Sequence, residues 1–195
     1  MDPGTAGPTE AVSDVVSECG FRTSPYEPAL PPRMSLPRPP DGTMMRTPHQ
    51  PQPAPHELAA WRSFLHAHAS VVRRLDADLA EAHGLPLNMY DVLVQLVEAG
   101  DHRLRMTDLA RAVLLSRSGI TRLVDRMARE GYVRREPDPE DARGVWTVLT
   151  DAGYERLRTA SATHLAGVSR YMVDRLEPDE LAALGRACAR IVADD

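Results

Sequence analysis

The sequence predicts a mainly α fold with a minor β part: a winged helix-turn-helix flanked by dimerisation helices. Three observations predict it. A short helical stretch at 107–113 is followed, after a three-residue connection, by an Arg-rich helix beginning at Ser116. Two β-rich runs joined by a turn-forming segment come next, at 132–149. Long amphipathic stretches lie on either side, at 56–83 and 151–193.

Residues 1–55 hold 13 of the 17 prolines and no sustained apolar period, which is the composition of a disordered or polyproline-like tail. Neither a secretory signal pattern nor a run of 18 apolar residues is present. No membrane partner and a cytoplasmic location are therefore expected. The remaining stretch, 56–193, suits one compact domain. In its first helix Leu58, Trp61, Leu65, His68, Val72, Leu75 and Leu79 recur at steps of three and four, a seam-like pattern. A second helix over Asn88–Glu98 reads as capped by Asn88, with Asp91 in a capping-box-like place and Leu93, Leu96 and Val97 inward.

The DNA-binding lobe is read at 88–149. Thr107 caps the short helix, whose Leu109, Ala110 and Val113 face inward. Leu114-Leu115-Ser116 forms the turn, and Ser116 caps the second helix, which Gly131 stops in a left-handed position. Ile120, Leu123, Val124 and Met127 form its buried stripe. Its other face presents Arg117, Ser118, Thr121, Arg122, Asp125, Arg126 and Arg129, long cations mixed with short hydroxyls. That mixture suits a major groove, where Arg bonds guanine edges in bidentate fashion and hydroxyls reach bases or phosphates. Arg117, Ser118, Thr121 and Arg122 are expected on bases, with Ser116 and Arg126 on phosphate or orienting the helix. Tyr132–Arg135 and Val145–Leu149 form a hairpin around Pro137, Pro139 and Gly144. Arg143 at its tip is placed to enter a minor groove, braced by Asp141.

Beyond the hairpin, a long helix capped by Thr150 is read over Asp151–Leu176, with Leu157, Leu165, Val168, Met172 and Leu176 as core. Leu181, Leu184, Cys188 and Ile191 repeat the seam pattern near the end. Flanking helices that must bury such stripes point to a two-fold partner, which also sets two recognition helices about one DNA turn apart. An intramolecular helical cap on a monomer is the alternative.

The hairpin residues Asp141-Ala142-Arg143-Gly144-Val145-Trp146-Thr147-Val148-Leu149-Thr150-Asp151-Ala152-Gly153 fit an Asp-x-Arg-x(6)-Thr-x-x-Gly pattern, and Ser116–Arg126 has the matching helix. In these features 56–193 resembles the MarR family of bacterial winged-helix transcription regulators. The resemblance implies a homodimer on a pseudo-palindromic double-stranded operator, most often as a repressor released by a small ligand. It also implies a ligand crevice where the first helix, the Asn88 helix and the DNA lobe meet. Trp61, His68, Tyr90, Asp91 and Arg111 are its candidate residues, suited to a small aromatic acid or phenol. An activator of the same fold and a winged-helix adaptor that docks protein are the alternatives.

Charge agrees once it is resolved by region. The net charge is −5, yet 103–135 carries nine Arg against three acids. All 23 basic residues are Arg. No cofactor and no catalytic residue is expected, because no phosphate loop, nucleophile elbow or His-Glu-x-x-His occurs. His66 and His68 point to opposite sides of their helix, so no metal site is expected from them. A site assembled from His68 and His164 is the alternative. Cys19 and Cys188 suggest neither disulfide nor zinc, and Cys188 reads as a buried structural thiol.

Overall fold

The computed structural model describes residues 52–139, 141 and 144–193. The expected Pro-rich tail, apart from its last four residues, lies outside them, as do Cys19 and Arg143. Helix α1 spans Pro55–His83, with Pro55 in its first turn, the Glu57 carboxylate accepting the Ala54 N–H at 2.6 Å, and Gly84 in the left-handed conformation at its end. Its C-terminal half buries Leu75 and Leu79, whereas Leu58, Trp61, Phe64, Leu65 and Val72 stay exposed.

Helix α2, Leu87–Glu98, is apolar on most of its surface and buries Leu87, Met89, Tyr90, Val92, Leu93, Gln95 and Leu96. Its start corrects the expected cap. Pro86, in the extended conformation, takes the N-cap position and Asn88 lies exposed inside the helix. The Leu87 N–H is satisfied from α1 by Asp76 Oδ1 at 2.8 Å, so a tertiary acceptor replaces the local one and Asp91 has no capping role.

The short helix α3, Met106–Ala112, also starts differently, because a strand absent from the sequence reading runs straight into it. Strand β1, Arg103–Arg105, pairs antiparallel with β3, Val145–Leu149, and Arg105 becomes the N-cap of α3; Thr107 caps nothing. Three residues alternating Arg and Leu carry too little β signal to be read alone. Strand β2, Val133–Pro137, pairs with the other edge of β3, from Val133 opposite Leu149 to Pro137 opposite Val145, so Pro137 closes the ladder at an edge instead of belonging to the turn.

Helix α4, Arg117–Arg129, follows the sequence reading closely. Ser116 Oγ accepts the Gly119 N–H at 3.1 Å, Gly131 has φ +81°, and Ile120, Leu123, Val124 and Met127 are buried. Helix α5, Asp151–Tyr171, is capped by Thr150, whose Oγ accepts the Gly153 N–H at 3.1 Å and whose hydroxyl hydrogen reaches the carbonyls of Gly131 and Tyr132 at 2.6 and 2.9 Å. A Cβ on Gly153 would collide with the Tyr132 carbonyl oxygen. The Thr-x-x-Gly pattern is thus a packing requirement between the hairpin base and α5.

The expected run to Leu176 stops early: Met172 leaves helical geometry and a 3-10 turn covers Val173–Arg175. Tyr171 Oη is held by Asp78 Oδ2 of α1 at 2.7 Å just before the break, and Arg175 turns back onto the Arg170 carbonyl at 2.9 Å. Helix α6, Pro178–Val192, is well capped by Glu177 and Glu180 but buries no residue, and Cys188 is half-buried, a correction to its expected burial.

In the turn between α3 and α4, Leu114 has φ +53° and is 93 % exposed. A left-handed conformation costs a branched L residue about 1–2 kcal/mol, and this side chain recovers almost none of it by burial. Leu114→Gly is expected to raise stability by about 1 kcal/mol, net of the greater freedom of Gly in the unfolded chain. Thermal unfolding measures it; an unchanged or lower midpoint contradicts the strain.

Candidate nucleic-acid interface

Helix α4 is divided lengthwise. Its apolar stripe is locked into the core, so Arg117, Ser118, Arg122, Arg126 and Arg129 are forced outward and are exposed, with Thr121 half-buried among them. The Thr121 hydroxyl donates to the Arg117 carbonyl at 2.8 Å and so presents only lone pairs outward. The Ser116 hydroxyl, engaged by the Gly119 N–H, lies 3.3 Å from Ser118 Oγ. A concavity of about 600 Å³ opens between α3, the start of α4 and the hairpin, lined by Arg105, Arg111, Arg117, Thr121, Arg135 and Asp141 among others.

Six of the nine Arg in 103–135 are ion-paired: Arg103 with Asp101, Arg105 with Asp138, Arg111 with Asp108, Arg126 with Glu130, Arg134 with Glu136 and Arg135 with Asp125. Three of those acids lie outside that stretch, so the local surplus of charge is smaller than the sequence count. Among the described residues Arg117, Arg122 and Arg129 have no acidic partner. Two of these three are residues read as base-facing, while Arg126, read as a phosphate contact, is held by Glu130 at 2.8 Å. The five of these pairs in which both side chains are exposed add little stability, on the order of 0–1 kcal/mol each, but they decide where each cation stands.

The hairpin base carries a residue that the sequence reading missed. Asp138 is 6 % exposed, its carboxylate is ion-paired to Arg105 at 2.5 Å, and its N–H donates to the Gly144 carbonyl at 3.0 Å. A Cβ on Gly144 would come within 2.7 Å of Asp138 Cβ, so Gly144 is where the two chains of the hairpin close. Arg103 and Arg105 both lie over the Trp146 ring, at 4.8 and 5.2 Å. The legible signal was an acid directly at the strand end, facing Gly144. Asp141 offers its carbonyl to the Gly144 N–H at 2.7 Å; its expected brace on Arg143 lies outside the described residues.

The candidate ligand residues stand apart. Trp61 is 56 % exposed on α1 and stacks on Phe64, with His68 exposed on the same helix. Tyr90 is buried and stacks on His164 of α5 with ring centroids 4.4 Å apart, and Asp91 follows it, half-buried. Arg111 lines the concavity beside α4, where the other four do not. Burial pushes the Asp91 carboxyl up to about 6 and lowers the His164 imidazole below its ordinary range. Among the described residues no group of three His, Cys, Asp or Glu could hold a metal ion, and no helix is long and apolar enough to cross a membrane.

The model of the MarR family matches residues 83–144. The HTH-type transcriptional regulator YkoM of Bacillus subtilis is 31 % identical over 137 residues, covering 70 % of this chain and 86 % of its own length. The chain belongs to the MarR family. Its members are transcriptional regulators, not enzymes. The repressor YetL, also of Bacillus subtilis, is 36 % identical over 89 residues, and that match spans 46 % of this chain and 53 % of the length of YetL. Among solved structures, the MarR family regulator AbsC of Streptomyces coelicolor superposes with TM-score 0.68 at 35 % identity, over 74 % of this chain and 97 % of its own. A second Streptomyces coelicolor MarR regulator, solved in complex with DNA, superposes with TM-score 0.68 at 38 % identity over 74 % of this chain and 91 % of its own. α3 and α4 are the helix-turn-helix and β2–β3 the wing of this MarR fold.

Asp91 gives the interior of this fold a pH signature. Its folded-state pKa, about 6, lies above the ordinary 3.8, so the native state binds more protons and the penalty of ionising the buried carboxyl grows as pH rises from about 4 to 6. Relative to Asp91→Asn, the wild-type chain is expected to lose on the order of 2 kcal/mol across that interval. Denaturant unfolding of both at pH 4 and pH 7 measures it; parallel curves would show that Asp91 ionises without penalty.

Proposed function

We propose that this MarR protein acts in the cytoplasm as a homodimeric repressor that binds a pseudo-palindromic operator and releases it on binding a small aromatic or phenolic effector. The observation that carries the reading is the outward face of α4, where Arg117 and Arg122 stand exposed beside Ser118 and Thr121 and, among the described residues, have no acidic partner. Exposed guanidiniums with no carboxylate among the described residues are suited to bidentate bonds with guanine edges, while Arg126, Arg134 and Arg135 already have carboxylates. The DNA complex of the 38 % identical relative supports the partner. YetL and MprA are named repressors, which favours repression; BadR, 31 % identical, is named an activatory protein and keeps activation as the second reading.

Dimerisation rests on unburied apolar faces. Leu58, Trp61, Phe64, Leu65 and Val72 of α1 and Ile191 and Val192 of α6 are exposed, and α6 buries nothing within the chain. Two helices that gain so little cover from their own chain are suited to a second copy. Trp61 and His68 then belong to the dimer face and Arg111 to the DNA side. Of the five candidate residues, Tyr90 and Asp91 remain for effector sensing, at the layer joining α1, α2 and α5.

Fluorescence anisotropy of the full chain on its own upstream DNA and on a scrambled duplex, across a salt series, tests the reading. A preference of at least about a thousandfold, with affinity falling as salt rises, is expected. Equal affinity for both duplexes means that the operator lies elsewhere or that the attraction is non-specific, and no binding at low salt puts the protein-docking adaptor first. Within the operator complex, Arg122→Ala is expected to cost about 1–3 kcal/mol and relax one base position, whereas Arg126→Ala weakens all sequences alike and by less, because Glu130 already holds that guanidinium. Equal, sequence-independent losses from both variants would sink this division of labour.

A further inference from the structure

We propose that Asp125 is a specificity-determining residue of the DNA face: it holds Arg135 across the gap between recognition helix and wing, and so keeps that cation out of sequence-independent phosphate binding. The inference rests on the operator-binding reading above. Arg135 lies on β2, and its Nη2 reaches Asp125 Oδ1 of α4 at 2.9 Å and the Thr121 carbonyl at 3.4 Å. The other ion-paired cations of the strand and helix are held locally, Arg134 with Glu136 two residues away and Arg126 with Glu130 one turn on. The Arg135 pair is different in kind, because it ties the hairpin to the helix.

Its side chains are 36 % and 50 % exposed, so the pair is accessible to solvent and adds little to stability. Its place is what matters. Arg135 lines the concavity shared with Arg117 and Thr121, on the side that the α4 face presents outward. A carboxylate there repels phosphate and is a cost to a DNA-binding helix unless it does something else. Satisfying one guanidinium in a fixed position is such a role: the Arg keeps its charge but loses the freedom to follow any backbone it meets. Each further phosphate that a freed cation neutralises steepens the salt dependence by about 0.9, which near 0.1 M salt amounts to roughly a five- to tenfold tightening on DNA of any sequence.

The test uses the full chain, a duplex selected by that chain from a random-sequence pool, and a scrambled duplex, at about 0.15 M salt, where distant exposed charges are screened. Asp125→Asn keeps shape and exposure and is expected to tighten scrambled-DNA binding about fivefold, steepen its salt slope by about one, and shrink the specificity ratio at least threefold. In an Arg135→Gln background the same Asp125→Asn change is expected to alter scrambled-DNA affinity less than about twofold. An unchanged specificity ratio overturns the inference, and so does an equal tightening in the Arg135→Gln background, which would reduce the effect to loss of a negative charge. A wild-type chain that selects no sequence overturns the operator reading itself; a wild-type chain that selects one while Asp125→Asn keeps its ratio overturns this inference alone.

Discussion

Helix α2 imposes the constraint that organises this protein. Eight of its twelve residues are apolar, its polar residues Asn88, Asp91, Gln95 and Glu98 are confined to one narrow stripe, and so broad an apolar surface must be covered on most sides. α1, α5, α3 and the strands β1 and β3 all pack on it. Because those elements are committed to α2, α4 is left at the margin with a single stripe buried against the core, and its charged face has nowhere to go but outward. Even the start of α2 is supplied from elsewhere, by Asp76 of α1. The exposed reading face is a consequence of a core that closes around a different helix.

Electrostatics then refine what packing exposes. A stretch dense in Arg would by composition alone be an indiscriminate polyanion binder. Instead most of its guanidiniums are tied to carboxylates, some from neighbouring turns and some across elements, and those with no carboxylate among the described residues include Arg117 and Arg122 on the outward face. Buried Asp138 belongs to the same arrangement: with Arg105 and Gly144 it closes the wing base, so that the hairpin is a defined projection from the sheet. The exposed pairs among these are each weak, but geometry rather than stability is what a reading surface requires.

The outer helices show the opposite situation. α1 and α6 are well capped and regular, yet long stretches of both leave apolar side chains uncovered. Helical order without burial is costly for an isolated segment, since most helix stability in proteins comes from packing an amphipathic face. The chain thus folds a core for itself and leaves the apolar faces of these two helices and the charged face of α4 uncovered.

Much of this was legible in the sequence where the determinant is local. Ser116 and Thr150 as caps, Gly131 as a stop, the Ile120, Leu123, Val124 and Met127 stripe and the two hairpin strands depend on neighbours within a few residues, and the chain alone determines them. Tertiary structure decided whatever needs a partner distant in sequence. Asn88 and Thr107 look like caps, but Pro86 with Asp76 and the strand β1 pre-empt them; β1 exists because β3 offers it an edge. Asp138 and Asp125 are ordinary surface acids in the sequence and become wing anchor and Arg135 holder only because folding brings Arg105 and Arg135 to them. Tyr90 and Asp91 were singled out from the sequence, but burial beneath α5, with its stacked His164, sets their environment. Local propensity and period are written in consecutive residues, whereas desolvation and charge pairing act through space and exist only once the core has closed.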